Sequence, residues 1–212
     1  MKEDRFYMKV YDIFKRILDI VISVVFLLIF WLPMLIVAIV IKCDSKGSAF
    51  FTQRRLGKDR KEFILYKFRS MTTTAPADMP THELQHADAY ITKVGKFIRR
   101  TSIDELPQFL NILKGDMSLI GPRPALYNQI DLADERDKYN ANSVRPGLTG
   151  WAQINGRDDV DIPVKAKMDG EYVKKRSLLF DLKIIFGSFG AIISGRNITE
   201  GMRNDNKNDK KQ

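Results

Sequence analysis

Ile20-Val-Ile-Ser-Val-Val-Phe-Leu-Leu-Ile-Phe-Trp-Leu-Pro-Met-Leu-Ile-Val-Ala-Ile-Val-Ile41 is a run of 22 residues in which Ser23 is the sole hydroxyl, amide or charged side chain. A helix of that length reaches across a bilayer. It is too long for the apolar region of a cleavable signal, and no small-residue cleavage site precedes Lys42-Cys43-Asp44. Pro33 stands inside the run with Trp31 beside it, and a proline there removes a backbone donor and kinks or breaks the helix. Lys9, Lys15 and Arg16 flank one end, and Lys42, Lys46, Arg54, Arg55 and Lys58 the other, so by the positive-inside tendency both ends belong on the cytoplasmic side. A re-entrant helix that enters, breaks at Pro33 and returns through the same face meets that requirement. A kinked transmembrane helix is the competing reading, because prolines are tolerated in such helices.

Upstream of the run, Tyr7, Val10, Tyr11, Phe14, Ile17 and Leu18 form an apolar stripe opposite Lys9, Asp12 and Lys15, which predicts that the helix begins near Arg5. Downstream, Ala49 to Arg54 and Glu62 to Arg69 read as two strands around the turn Gly57-Lys58-Asp59-Arg60, a β-hairpin ending in Lys67 and Arg69. Met71 to Ala89 is polar and proline-dotted and reads as a loop with one short helix. Leu178, Leu179, Leu182, Ile185, Phe186, Phe189, Ile192 and Ile193 lie on one helical face just after Lys174-Lys175-Arg176. An interfacial helix on anionic lipid and a buried core helix explain that stripe equally well. Residues 204–212 contain no apolar side chain and are expected to be disordered. The expected architecture is α+β and mostly helical: an N-terminal amphipathic and re-entrant membrane segment over 1–46, a cytoplasmic catalytic domain with a small β-hairpin and an interfacial C-terminal helix over 47–196, and a polar tail over 197–212.

A chain of 212 residues accommodates one ordinary domain with appendages rather than two domains. The single Cys43 excludes an intramolecular disulfide framework and suits a reducing compartment, which places the soluble part in the cytoplasm. A net charge of +9 calls for an anionic partner, and nucleic acid, anionic lipid and a phosphorylated small molecule all qualify. The basic residues gather at the membrane flanks and beside an acidic pair rather than along a recognition helix, so no nucleic-acid partner is expected.

That acidic pair is Asp104-Glu105, within Thr101-Ser-Ile-Asp-Glu-Leu-Pro-Gln108 and just after Arg99 and Arg100. Ser102 and Glu105 have the spacing of a capping box, and Leu106, Phe109, Leu110 and Leu113 continue as an apolar helical face until Gly115. Pro107 fits poorly inside a helix starting at Ile103, so the first true turn is expected a few residues later. Asp104 then lies near a helix start, which favours its ionised form and also attracts phosphate. Taken alone, such a motif more often caps a helix than forms a site. Gly121-Pro-Arg-Pro124 fixes Arg123 between two prolines, a use that suits a phosphate oxygen as well as a plain turn. Arg145-Pro-Gly-Leu-Thr-Gly-Trp-Ala-Gln-Ile-Asn-Gly-Arg157 is dense in glycine, amide and arginine, which suits a nucleotide but is a weak signal by itself.

His82-Glu83-Leu84-Gln85-His86 matches the zinc-protease pattern H-E-x-x-H, with Glu105 nineteen positions beyond as a conceivable third ligand. A zinc helix must be held rigidly by packing and outer hydrogen bonds. This stretch is polar and proline-interrupted, so the zinc reading is the weaker one.

Taken together, the proline-containing apolar segment, Tyr66-Lys-Phe-Arg-Ser-Met71, Arg99 to Gln108, Leu113-Lys-Gly-Asp-Met-Ser118, Gly121 to Pro124 and Arg145 to Arg157 closely resemble the bacterial sugar transferases, the small monotopic polyprenol-phosphate phosphoglycosyl transferases. The resemblance runs from about Tyr11 to Ile193, with several long motifs in order. It implies transfer of a sugar 1-phosphate from a UDP-sugar to polyprenol phosphate, with release of UMP, at the cytoplasmic face of the bacterial inner membrane. That is the first membrane step of a surface polysaccharide or glycoconjugate pathway. It further implies that Asp104 is a covalent nucleophile, that Mg²⁺ is required with Asp104 as a ligand, and that Arg145, Gln153, Asn155 and Arg157 lie near nucleotide or sugar. Many relatives place a serine directly before the membrane proline; Leu32 stands there in this sequence and has no hydroxyl to bond a freed carbonyl. Longer relatives carry extra transmembrane helices ahead of this domain, so the sequence is expected to be the minimal form.

A carboxylate attacking a diphosphate meets like charge, so fixed cations and a metal are needed to neutralise the phosphoryl oxygens. Lys67, Arg99 and Arg123 are the candidate cations. Glu105 would act either as a proton acceptor or by orienting the ion and the nucleophile. A non-catalytic membrane scaffold binding nucleotide-sugars or anionic lipid is the contrasting expectation, and the sequence leaves homodimerisation and the identity of the sugar open.

Overall fold

The computed structural model describes residues 2–76, 78, 79, 84, 86–155 and 161–193, with side chains from residue 6 to residue 190. Arg157, His82, Glu83 and the C-terminal tail lie outside the described residues. The order of elements is α1 (Lys2–Asp44), β1 (Phe50–Leu56), β2 (Glu62–Phe68), α2 (Ala87–Tyr90), α3 (Lys93–Arg100), α4 (Gln108–Lys114), β3 (Ser118–Ile120), α5 (Ile130–Asp137), β4 (Gly147–Thr149), α6 (Trp151–Asn155), α7 (Ile162–Lys175) and α8 (Leu178–Ile193).

The apolar run forms the middle and end of α1, a helix of 43 residues and the one element among the described residues long and apolar enough to cross a membrane. The break expected at Pro33 does not interrupt it: Pro33 lies inside a single helix. A proline withdraws one donor from the helical ladder, and the arms on either side are each held by packing, so the loss does not end the element. The first arm is tied to the globular domain through polar groups. Tyr11 Oη and Lys15 Nζ donate to Asp181 Oδ2 at 2.8 and 2.7 Å, and Arg16 donates to the carbonyls of Ile112 and Leu113 at 2.6 and 3.0 Å. Asp19 Oδ1 accepts from the Leu119 amide at 3.0 Å. Phe26 then stacks on Phe109 with ring centroids 3.8 Å apart. The second arm packs Met34, Val37, Ala38 and Ile41 against Ala49, Phe68 and Ile98. Between the arms, Leu28, Ile29 and Trp31 are exposed by 70%, 63% and 61%.

The hairpin forms as its alternation predicts. β1 and β2 pair antiparallel from Phe50 with Phe68 to Leu56 with Glu62, joined by a 3-10 turn over Lys58–Arg60. Asn111, fully buried on α4, fastens the hairpin to that helix: its Oδ1 accepts from the Tyr66 amide at 3.0 Å and its Nδ2 donates to the Ile64 carbonyl at 2.7 Å. A second pair of strands, β3 and β4, is parallel, with Ser118 opposite Gly147 and Ile120 opposite Thr149. Gly147 is required there, because a Cβ would stand 2.1 Å from the Gly121 nitrogen. Arg136 on α5 and Asp169 on α7 make a buried ion pair at 2.6 Å, and Arg136 also donates to the Arg123 carbonyl at 2.9 Å. Burial raises the Asp169 pKa, and the Arg136 charge opposes that rise.

α8 is packed on one side and open on the other. Ile184 is fully buried against Ile120 and Tyr172, while Leu179, Phe186 and Phe189 remain 80%, 71% and 59% exposed.

Candidate active site

The helix expected at Ile103 starts later, as Pro107 required. Ile103–Glu105 is a 3-10 turn, Pro107 precedes α4, and Gly115 closes that helix at φ +95°. The capping box between Ser102 and Glu105 does not form. Ser102 is left-handed at φ 56° and its side chain makes no capping bond, whereas an N-cap needs extended backbone. The Glu105 carboxylate is taken by two cations, and a charge-assisted bond outweighs a neutral backbone donor. The buried face of α4 also differs from the expected one. Gln108, Phe109, Asn111 and Ile112 point inward, and Leu110 and Leu113, expected inside, are exposed.

Glu105 Oε1 accepts from Lys67 Nζ at 3.0 Å and from both terminal nitrogens of Arg123 at 3.3 Å. Burial alone would raise the Glu105 pKa. The charges and hydrogen bonds of Lys67 and Arg123 overcome it and hold the carboxyl down at about 2. Such a group is a weak base near neutrality, which favours the orienting role over proton acceptance. Lys67 comes from the hairpin, Glu105 from the 3-10 turn and Arg123 from the rigid Gly121-Pro-Arg-Pro124 turn, so three separate elements converge on one carboxylate oxygen.

Asp104 is buried, at 8% exposure, and lies in the walls of two cavities. The first, of about 390 Å³, has mixed walls, with Gln53, Lys67, Thr72 and Lys165 beside Phe51, Met71 and Met79. The second, of about 670 Å³, is mostly apolar, bordered by Phe26, Leu119, Leu148, Ile154, Ile185 and Phe189, and Glu105, Lys96 and Arg100 also line it. Arg99 and Arg123 join Asp104 in lining both. Arg99 also lies 3.4 Å from the Ser70 hydroxyl, to which it donates.

The residues expected around a nucleotide or sugar divide. Gln153 lines the second cavity and donates to the Leu148 carbonyl at 3.2 Å; its Oε1 is buried with no partner among the described residues. Arg145 and Asn155 line neither cavity among the described residues. Arg145 donates to the Gly115 carbonyl at 2.8 Å, near the C-terminal end of α4, and Asn155 donates to the Trp151 carbonyl of its own helix at 2.8 Å. Residues that the sequence did not single out include Asn111 and the Arg136–Asp169 pair, which set Lys67 and Arg123 in place. Their partners are distant in the chain, and no local pattern announces them.

The zinc reading finds no support among the described residues. His86 precedes α2 in a left-handed conformation, so a single helix does not carry Leu84 and His86, and no group of three or more His, Cys, Asp or Glu gathers as a metal site. Mg²⁺ makes lighter demands. It commonly uses one or two carboxylates together with substrate phosphates and water, so the buried Asp104 beside Glu105 fits that ion.

The sequence matches the model of the bacterial sugar transferase family over residues 10–195. The chain belongs to that family. It is 41% identical over 179 residues to the UDP-glucose:undecaprenyl-phosphate glucose-1-phosphate transferase of Escherichia coli (strain K12), covering 81% of this chain and 38% of that protein. It is 40% identical over 191 residues to the UDP-N-acetylgalactosamine-undecaprenyl-phosphate N-acetylgalactosaminephosphotransferase of Aeromonas hydrophila, covering 88% and 45%. With an uncharacterized sugar transferase, EpsL of Bacillus subtilis (strain 168), it shares 38% identity over 92% of both chains. The chain thus spans less than half the length of the first two relatives.

Proposed function

We propose that this protein transfers a sugar 1-phosphate from a UDP-sugar to polyprenol phosphate, releasing UMP, as a membrane step in building a surface polysaccharide or glycoconjugate. The observation that carries the proposal is a buried carboxylate, Asp104, between two cavities and beside a cationic cluster of Lys67, Arg99 and Arg123. The names of the relatives supply the substrate classes.

In the first step an Asp104 oxygen attacks the sugar-bearing phosphorus of the UDP-sugar. The bond to the bridging oxygen breaks and UMP leaves with the electron pair. A phosphate oxygen of polyprenol phosphate then attacks the same phosphorus, the bond to Asp104 breaks, and the carboxylate is restored. No proton has to move in either step, which accords with a Glu105 held at about 2. Arg99 and Arg123 offset the negative charge on the phosphoryl oxygens, and Glu105 keeps Lys67 and Arg123 aligned. Asp104, with Glu105 beside it, would hold Mg²⁺, whose part is to neutralise diphosphate charge.

The membrane setting is part of the proposal. Both arms of α1 rest on one globular domain while Leu28, Ile29 and Trp31 project from it, which supports a helix that enters the bilayer and returns through the cytoplasmic face. Straight, 43 residues would extend about 65 Å, too far for a single span whose two ends meet the same domain. Exposed Leu179 and Phe186 on α8 lie in the lipid interface beside Lys174 and Lys175, which suit anionic headgroups, whereas Arg176 pairs with Asp12 at 3.2 Å.

The purified chain, given a UDP-sugar, Mg²⁺ and polyprenol phosphate in detergent or nanodiscs, is expected to release UMP, and intact-protein mass spectrometry without acceptor to show a sugar-phosphate adduct. Asp104→Asn abolishes both. UMP release at the wild-type rate in Asp104→Asn overturns the covalent assignment.

A further inference from the structure

Taking the reaction proposed above, we infer that Arg16 and Asp19, on the first arm of α1, are positioning residues for the Glu105–Arg123 pair. The membrane helix holds in register the two elements next to which that pair projects, so the seating of the anchor aligns the candidate site.

Arg16 and Asp19 stand three positions apart, on one face of α1. Each meets backbone groups that the local fold leaves over. The last carbonyls of a helix lack the donor one turn ahead, and Arg16 gives its two terminal nitrogens to those of Ile112 and Leu113 at 2.6 and 3.0 Å, at the end of α4. β3 has β4 on one edge, toward which the Ser118 and Gly121 amides donate to the Pro146 and Thr149 carbonyls. The Leu119 amide faces the other edge, where Asp19 Oδ1 accepts it at 3.0 Å in place of a further strand. Lys15 braces the same strand by a longer route. It donates to Asp181 Oδ2 at 2.7 Å, and the Tyr172 hydroxyl lies 3.1 Å from both Asp181 Oδ1 and the Ile120 carbonyl.

The two braced elements adjoin the ion pair. α4 starts at Gln108, three residues after Glu105, and β3 ends at Ile120, three residues before Arg123. Both terminal nitrogens of Arg123 lie 3.3 Å from Glu105 Oε1, so a shift of α4 against β3 moves one partner away from the other. Charge that served only to keep the helix end on the cytoplasmic side needs no partner and calls for no acid. Asp19 is an acid, 3% exposed, and a carboxylate so buried is costly unless its oxygens are bonded.

Kinetics are measured on the full chain in nanodiscs, and topology by maleimide labelling of Cys43 in inverted vesicles. Asp19→Ala, which removes the acceptor, is expected to lower kcat for UMP release about tenfold with little change in the KM of either substrate. Arg16→Lys keeps the charge but not the fork that spans two carbonyls, and is expected to do the same with Cys43 labelling unchanged. Asp19→Asn keeps an acceptor oxygen and is expected to stay within about threefold of wild type. In the Glu105→Gln background, Asp19→Ala or Arg16→Lys is expected to cost less than about twofold more, because the pair they align is already broken. Full activity in Asp19→Ala or Arg16→Lys, a loss in Asp19→Asn as deep as in Asp19→Ala, altered labelling, or losses that multiply with Glu105→Gln overturns the positioning role. Arg16→Lys and its cycle decide the matter even if Asp19→Ala misfolds. A wild-type chain that releases no UMP from any UDP-sugar refutes the reaction instead, whereas wild-type release with multiplying losses refutes only the part given to α1.

Discussion

Glu105 illustrates how one residue's role changes once its neighbours are known. Beside Ser102 in the sequence it looks like half of a capping box; in the fold it is the anion that Lys67 and Arg123 share. Its folded pKa, about 2, lies below the ordinary 4.5, so its ionised form stabilises the native state above about pH 4.5, and that contribution is lost as pH falls toward 2. In denaturant titrations, the stability advantage of the wild type over Glu105→Gln is expected to be full at pH 6 and to shrink below pH 4.5; a gap that grows on acidification contradicts the pairing. On the proposed role, in which Glu105 positions cations rather than moving a proton, Glu105→Gln should lower kcat by about a hundredfold through misplacement, without moving a limb of the pH profile between 6 and 8.

At the scale of elements, the site depends on contacts that hold a hairpin, a helix and a turn in mutual register. Asn111 binds β2 from within α4, so Asn111→Leu leaves the Tyr66 amide and Ile64 carbonyl without that partner. A loss of about 1–3 kcal/mol per stranded group is expected in chemical denaturation. Arg136→Met strands the buried Asp169 and releases the carbonyl of Arg123, and should cost about 3–5 kcal/mol. Both variants alter activity by displacing Lys67 or Arg123, so added substrate should not restore kcat. The β-hairpin and the short α4 ending at Gly115 were legible from alternation and turn chemistry. The buried face of α4 was not, because it is set by what packs on the helix, with polar Asn111 turned inward to bond the hairpin.

For the whole molecule, α1 joins the proposed membrane anchorage to the candidate site. Its two arms contact the same domain, and Phe26 on the first arm also walls the apolar cavity, so the anchor is part of the candidate site. Cys43, exposed at the end of α1, is a natural label, and Lys9→Cys supplies a second near the start. In intact cells a membrane-impermeant maleimide is expected to reach neither, and in inverted vesicles both; labelling of just one from outside the cell would establish a span in place of a re-entrant helix. Replacing Leu179 and Phe186 by Asp is expected to weaken membrane retention without unfolding the chain, as carbonate extraction and circular dichroism would reveal, since both side chains are already exposed.

The sequence by itself determined the apolar anchor, the hairpin, the acidic pair with its nearby cations, and, through ordered motifs, the family. These are local properties, fixed by periodicity, by proline and glycine, and by residue types a few positions apart. The tertiary structure alone decided that Lys67 and Arg123, 56 positions apart, meet on one oxygen of Glu105, that Arg145 and Asn155 line neither cavity, and that Asp104 borders two cavities. Those facts depend on how α1, α4 and α8 pack, and packing is set by the summed fit of side chains distant in the chain, which no local pattern records.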